Sequence, residues 1–242
     1  MKRNSGPMGK VLSAILAVSV LVSCSKDDTV DVNNDRANVA VIHASPGSPA
    51  VDLYHDTAKV SSAPLSFGSY LGTPGNAYVQ VPAGQHNIRL TNDGTTNVYE
   101  GSVNLEKDKN YSIFVYDTLN SGMVKTLLLQ DAPASQAGNS NLRFLHLSPD
   151  APAVDFWLAN ATDTIRMDGK SYIGDSPNVT ELAAFTPVPA GNYTLMVRSG
   201  DAVVVDVPGV DITEGKNYTF YSKGLLNGTG DNALSIGTVQ YN

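Results

Sequence analysis

One cysteine, Cys24, stands in a chain of 242 residues. A disulfide within the chain is therefore impossible, and stability has to come from a hydrophobic core. Basic residues are also scarce, with 16 Lys and Arg against 23 Asp and Glu and a formal charge of −7. Nucleic acid rewards basic patches, so this balance argues against a nucleic-acid partner. It equally argues against charge-driven adsorption to anionic lipid. No uninterrupted apolar run approaches the about 20 residues that span a bilayer. No long stretch carries the 3.6-residue apolar period of a helix. Catalytic signatures such as G-x-S-x-G and H-E-x-x-H are missing. The acidic positions Asp27, Asp28, Asp31 and Asp35 lack the D-x-D-x-D-G spacing of a calcium loop.

What is present begins at the N-terminus. Lys2, Arg3 and Lys10 precede an apolar segment from Val11 to Val22, broken only by Ser13 and Ser19. Its length suits the h-region of a secretory signal rather than a membrane span, so residues 1–23 are set aside from fold reasoning. The segment closes on Leu21-Val22-Ser23-Cys24, which resembles a bacterial lipobox. That resemblance implies lipidation of the Cys24 sulfur and cleavage before it. Removal of the three basic residues then takes the charge from −7 to −10. Each buried acyl methylene contributes about 0.8 kcal/mol, so several chains make a firm anchor. Ser25, Lys26, Asp27 and Asp28 follow the cysteine and resemble the export signal of Bacteroidetes surface lipoproteins. The implied address is the outer membrane, lipid-anchored and facing the cell exterior, with the periplasmic face as the alternative.

The rest of the chain is written twice. His43, Ser45, Pro46, Pro49, Val51 and Asp52 recur as His146, Ser148, Pro149, Pro152, Val154 and Asp155, at an offset of 103. Val81-Pro82-Ala83-Gly84 recurs as Val188-Pro189-Ala190-Gly191, and Lys109-Asn110-Tyr111 as Lys216-Asn217-Tyr218, both at 107. A period this long is domain-sized, not solenoid-sized. Each copy reads as β-strands: 39–44 alternates, 111–116 is aromatic and β-branched, and 202–207 is valine-rich. Asn92-Asp93-Gly94, Pro74-Gly75-Asn76, Ser199-Gly200-Asp201 and Asn227-Gly228 mark turns between them. The expected fold is all-β, two tandem β-sandwich domains. The boundaries are 1–23 signal peptide, 24–36 lipidated tether, 37–131 first repeat, 132–140 linker and 141–242 second repeat.

The repeated pattern H-x-S-P-x-x-P-x-V-D resembles the bacterial family called domain of unknown function 4397. That family is similar to immunoglobulin-like and transthyretin-like sandwiches and carries no established activity. The resemblance implies a fold and an exported location, not a chemistry.

Read from the residues alone, the motif is a structural corner. Pro46 and Pro49, like Pro149 and Pro152, hold the connection extended and remove backbone donors. Asp52 and Ser45, and Asp155 and Ser148, are placed to accept or donate hydrogen bonds to nearby backbone. Two sharper readings compete. His43, Ser45 and Asp52, repeated as His146, Ser148 and Asp155, have the residue types of a hydrolase triad, but spacing does not establish its geometry. His43, His55 and Asp56 or Asp52 offer zinc-type ligands, though Leu158 replaces His55 in the second copy. No catalytic residue, metal or cofactor is assigned. Tyr54, Tyr70, Tyr78, Tyr99, Phe156, Trp157 and Tyr172 make a sugar-stacking platform if exposed, and a core if not, with Trp157 expected in the core. Asp28-Thr29, Asp56-Thr57, Asp117-Thr118 and Asp163-Thr164, each followed by an apolar residue, resemble O-glycosylation acceptors of Bacteroidetes.

The functional expectation is a membrane-anchored, non-enzymatic surface lipoprotein serving adhesion, scaffolding or the binding of a protein or glycan. The alternative is an accessory subunit of an outer-membrane nutrient-uptake complex.

Overall fold

The computed structural model describes Met1 and residues 35–241, apart from positions 121 and 135. Cys24, Ser25, Lys26, Asp27 and Asp28 lie outside the described residues. The chain is all-β, in two groups of four-stranded sheets, as the duplicated strand pattern implies.

The first repeat contributes eight strands: β1 (Arg36–His43), β2 (Val51–His55), β3 (Ala58–Lys59), β4 (Val79–Pro82), β5 (Gly84–Asn92), β6 (Thr96–Leu105), β7 (Asn110–Asn120) and β8 (Met123–Asp131). The second contributes β9 (Asn139–His146), β10 (Val154–Ala159), β11 (Thr164–Lys170), β12 (Thr186–Pro189), β13 (Gly191–Ser199), β14 (Ala202–Ile212), β15 (Asn217–Lys223) and β16 (Ser235–Tyr241). A short helix α1 (Val179–Ala183) is inserted before β12, its N-cap supplied by Asn178 Oδ1 accepting from the Glu181 N–H. The first strand thus starts at the end of the expected tether, and β9 starts inside the expected linker.

The two repeats have one topology. Sheet order β4-β1-β7-β8 in the first is matched by β12-β9-β15-β16 in the second. Likewise β3-β2-β5-β6 is matched by β11-β10-β13-β14. In both, the first strand pairs parallel with the strand that carries the Lys-Asn-Tyr signal. The pairing is marked by a repeated amide contact: Asn38 Nδ2 donates to Asn110 Oδ1 at 2.8 Å, and Asn141 Nδ2 to Asn217 Oδ1 at 2.9 Å.

Packing places three cores between four sheets. Val39, Val41, Leu53, Ile88, Leu90 and Ile113 fill the first sandwich. Phe144, Phe156, Leu158, Leu195, Val197 and Phe220 fill the second, with Phe144 stacked on Phe156 at 4.7 Å. The third core joins the repeats: Ile42, Phe114, Leu127 and Leu129 from one meet Leu145, Tyr221, Val239 and Tyr241 from the other. Sheets β4-β1-β7-β8 and β12-β9-β15-β16 are therefore buried on both faces. Accordingly β1, β9 and β15 are buried at nearly every position rather than at alternate ones.

One backbone position shows how the copies solve the same problem differently. Asp117, where the regular pairing of β7 breaks off, has φ +67°, and its counterpart Gly224 has φ +86°. A Cβ on Gly224 would stand 2.2 Å from the Ala233 carbonyl oxygen, so glycine is required there. Asp117 tolerates the left-handed conformation because its own Oδ1 accepts from the Thr118 N–H at 2.7 Å.

Candidate functional site

The repeated motif forms one corner twice. His43 is fully buried at the end of β1, and Ser45 N–H donates to its Nδ1 at 3.3 Å. With Nδ1 accepting, the proton sits on Nε2, which donates to the Pro49 carbonyl at 3.0 Å. His146 repeats the arrangement: Ser148 N–H reaches Nδ1 at 3.3 Å and Nε2 donates to the Pro152 carbonyl at 2.9 Å. Ser222 Oγ adds a second donor to His146 Nδ1 at 3.0 Å; the counterpart of Ser222 in the first repeat is Val115. Burial lowers both histidine pKa values, against an opposing pull from the proline carbonyls. Each imidazole is thus a neutral strut that ties the end of its strand to the connection that follows, and His146 also reaches β15 through Ser222.

The serines and aspartates of the motif point elsewhere. Ser45 Oγ donates to the Asp117 carbonyl. Asp52 lies on the opposite sheet, where its Oδ1 accepts from Ser61 Oγ at 3.2 Å and its Oδ2 meets Lys59 Nζ at 3.0 Å. Asp155 Oδ1 accepts from the Gly169 N–H at 2.7 Å. Both aspartates tie the second strand of their sheet to its neighbour, and neither reaches the histidine. Asp52 thus bonds to side chains rather than to turn amides. The spacing that suggests a triad does not converge in either copy.

Between the repeats lies a polar cluster that no sequence motif marks. Asp131 Oδ1 meets Arg143 Nη1 at 2.7 Å, and both side chains are at most 2% exposed. Asp131 Oδ2 also accepts from Tyr78 OH at 2.8 Å and Ser112 Oγ at 2.6 Å. Arg143 Nε donates to Thr219 Oγ1 at 2.8 Å and Nη2 to Tyr241 OH at 3.2 Å. The Arg143 guanidinium lies over the Phe185 ring at 4.6 Å, and Tyr78 stacks on Tyr241 at 5.1 Å. Burial opposes the Arg143 charge, but Tyr241 and Asp131 hold its pKa above the ordinary value. Burial and the Asp131 charge push the Tyr78 hydroxyl well up, so it stays a donor.

The aromatic residues do not assemble into one platform. Phe156 is core, Tyr99 packs on the first core, and Tyr70, Tyr78 and Tyr172 pack on the core between repeats. Trp157, expected inside, is half-buried on the outer face of the second sandwich. Arg166 on β11 and Arg198 on β13 place their guanidinium carbons 4.0 Å and 4.7 Å from its ring centroid. Because β11 and β13 flank β10 on opposite sides, the indole stands between two cations. Its Nε1 donates to Asp168 Oδ1 at 2.9 Å. Next to it, an open cleft of about 740 Å³ runs between β11 and α1, lined by Arg166, Asp168, Lys170, Asn178 and Glu181 among others. Tyr54, the counterpart of Trp157, carries one cation, Arg89, at 4.5 Å.

A second titratable cluster sits at one end of the first sandwich. His55 closes β2, Asp56 follows it, and His86 lies on the adjacent strand β5. His86 Nδ1 is 2.7 Å from Asp56 Oδ2, and the two imidazoles approach to 4.2 Å between centroids. Burial pulls the His86 pKa down, but Asp56 and the Ala83 carbonyl raise it above its ordinary value. Burial and the neighbouring His86 lower that of His55. Hydrogen bonds from the Asn87 N–H and from His86 lower that of Asp56. His43, grouped with His55 and Asp56 when ligands are sought by residue type, lies in the corner instead. His86, 30 residues beyond Asp56, takes its place because the β2–β5 pairing brings it there. Of the acceptor-like threonines, Thr57 and Thr164 are exposed and Thr118 is half-buried; Thr29 is outside the described residues.

The sequence model of the family described as Domain of unknown function (DUF4397) matches residues 37–157, half of the chain. The matched span runs from β1 through the second His-x-Ser-Pro corner. Among curated proteins nothing matches the sequence. One solved structure, the Bacillus anthracis TIE protein, aligns with a TM-score of 0.25 and 12% identity, over 78% of this chain and 33% of that one. The chain therefore spans about a third of that protein's length, and a likeness this low carries no argument.

Proposed function

Because the chain belongs to the DUF4397 family, whose domain has no known function, we propose from its own residues that it is a lipid-anchored, non-enzymatic binding or scaffolding module of a bacterial envelope. The observation that carries this reading is how the repeated motif is used. The histidine contacts recur in both copies and hold the corner, while Asp52 and Asp155 each tie a strand to its neighbour through different partners. A catalytic serine needs a base within hydrogen-bond reach. The motif serine Ser45 has none: its Oγ donates to the Asp117 carbonyl, while His43 Nε2 faces the Pro49 carbonyl and Ser48 Oγ.

The reading extends to location through Cys24, with both repeats as copies of the family's domain and the Ser25-Lys26-Asp27-Asp28 segment directing the protein to the outer surface. No helix among the described residues is long and apolar enough to cross a membrane. The surface we assign to a ligand is the Trp157–Arg166–Arg198 face with the adjoining cleft. It joins an apolar ring to fixed cations and open polar side chains, a combination suited to a polar glycan or an acidic protein segment.

Protease shaving of intact cells tests the assignment. Wild type should be cleaved, Lys26→Ala/Asp27→Ala/Asp28→Ala should be protected, and Cys24→Ala should leave the membrane fraction altogether. Protection of the wild type contradicts surface display. Stable co-purification with an outer-membrane barrel would move the reading to an uptake accessory.

A further inference from the structure

The two repeats differ most sharply at the end of the sandwich occupied by His55, Asp56 and His86. At the equivalent positions the second repeat has Leu158, Ala159 and Tyr193. Leu158 and Tyr193 are buried core residues, and Tyr193 OH donates to the Pro189 carbonyl at 2.9 Å. The module therefore folds with an apolar plug and one hydroxyl at this place. The first repeat puts two imidazoles and a carboxylate there, with one imidazole 4% exposed. Structure alone gives no reason for that exchange, because burying polar groups without partners is costly.

We propose that His55, Asp56 and His86 bind one zinc-class divalent ion at the open end of the first sandwich. One ligand atom from each of the three lies within 4.8 Å of the others. Asp56 Oδ2 stands 2.7 Å from His86 Nδ1 and 3.7 Å from His55 Nδ1. An ion held at about 2.0–2.2 Å from two such atoms needs them roughly 3.4 Å apart, so the shortest gap must open by about 0.7 Å and the widest close by up to about 1.4 Å. Asp56 is the flexible member, with a half-exposed side chain, and its movement opens the shorter gap.

The surroundings match what such a site requires of its outer contacts. Asp56 Oδ1 accepts from the Asn87 N–H at 2.9 Å, which orients the carboxylate and leaves Oδ2 facing both rings. His86 Nε2 donates to the Ala83 carbonyl at 3.1 Å, the contact that leaves Nδ1 as the ligating atom. His55 offers a second nitrogen: its Nδ1 stands 3.7 Å from Asp56 Oδ2, beyond hydrogen-bond reach, while its buried Nε2 is turned toward the Pro82 carbonyl without a well-formed hydrogen bond. Two imidazoles and one carboxylate suit zinc, cobalt, nickel or copper rather than magnesium or calcium, which favour oxygen. Three protein ligands leave a coordination position open to water or to a ligand group.

Calorimetric titration of the full chain in detergent micelles, first with zinc chloride and then with cobalt chloride, tests the site. One equivalent should bind, and saturating zinc should raise the unfolding temperature. The double variant His55→Leu/His86→Tyr installs the residues of the second repeat and should still fold. In it, zinc affinity should fall by about 100-fold or more. Asp56→Asn, at a half-exposed position, should weaken zinc binding while lowering the unfolding midpoint only slightly through loss of the His86 contact. Equal affinity in the double variant and the parent overturns the proposal, since binding through Cys24 or the terminus would survive those changes. Absence of binding by the parent at millimolar zinc overturns it as well. A double variant that fails to fold leaves Asp56→Asn to decide, and unchanged affinity there also counts against the site.

Discussion

The two repeats of this chain agree at their corners and disagree at their faces. His43 and His146 make the same pair of hydrogen bonds to the same backbone positions, within 0.1 Å. The core between the repeats is instead built from unlike partners at like positions. Arg143 occupies the place of Ala40, Tyr241 that of Asp131, Thr219 that of Ser112, and Phe185 that of Tyr78. A small residue in one copy faces a large one in the other, and one charge in each completes a single buried ion pair. Identical residues mark what each sandwich needs in order to fold. Divergent residues mark what the pair does together. A contact between two first repeats would leave each Asp131 facing Ala40, buried and without its cation.

The largest effect expected from breaking this comparison is at the ion pair. Asp131→Ala or Arg143→Ala should each lower unfolding free energy by about 3–5 kcal/mol, because the remaining charge stays buried and unpaired. Asp131→Leu/Arg143→Leu should recover most of that loss, and denaturant titration measures both. Equal, small losses in all three variants would mean that the pair is solvated and the interface loose.

Next come the corners. His43→Ala and His146→Ala each strand a buried proline carbonyl and a serine N–H, so each should cost about 1–3 kcal/mol. The comparison requires the two losses to be similar, with His146 the larger because Ser222 also bonds to it. A large loss at one corner and none at the other would break the symmetry argument.

The third effect is on pH. Both corner histidines have folded pKa values below the unfolded 6.5, through burial. Their contribution to stability is complete above pH 6.5 and is lost as the pH falls from 6.5 toward the folded values, by at most about 1.4 kcal/mol per unit for each residue. His55 adds to this slope and His86, whose pKa is raised, opposes it. Stability measured from pH 7 to 5 should therefore fall, and less steeply in His43→Gln.

Trp157 should give the smallest change in stability, since its ring lies on an outer face. Trp157→Ala should cost about 1 kcal/mol through loss of its two cation contacts, while removing any glycan or protein binding at that face. Unchanged binding would separate the ligand surface from the Trp157 patch.

Much of this architecture is legible in the chain because duplication writes it twice. The offset of 103 at His43/His146 and of 107 at Asn110/Asn217 marks strands and corners in the sequence itself. Three features are not legible in this way, each for a physical reason. The core between the repeats depends on β7 and β15 being apolar on both faces, which is visible in Tyr111–Tyr116, but a run alone does not name the second layer. Asp131 and Arg143 are single charges at strand positions, and only strand pairing reveals that they meet. His86 is far from His55 in sequence, and the available signal was the unlike pair His86/Tyr193 within a matched segment. Trp157 misleads for another reason: alternation along β10 puts Phe156 and Leu158 inside, so the residue between them faces out.

The central claim is that the two sandwiches form one cooperative unit through the buried Asp131–Arg143 core. The sole tryptophan, Trp157, reports on the second sandwich, whereas far-ultraviolet circular dichroism reports on both. Denaturant unfolding of the full chain followed by the two signals should give one coincident transition. Two separated transitions, with circular dichroism changing before or after Trp157 fluorescence, would contradict it.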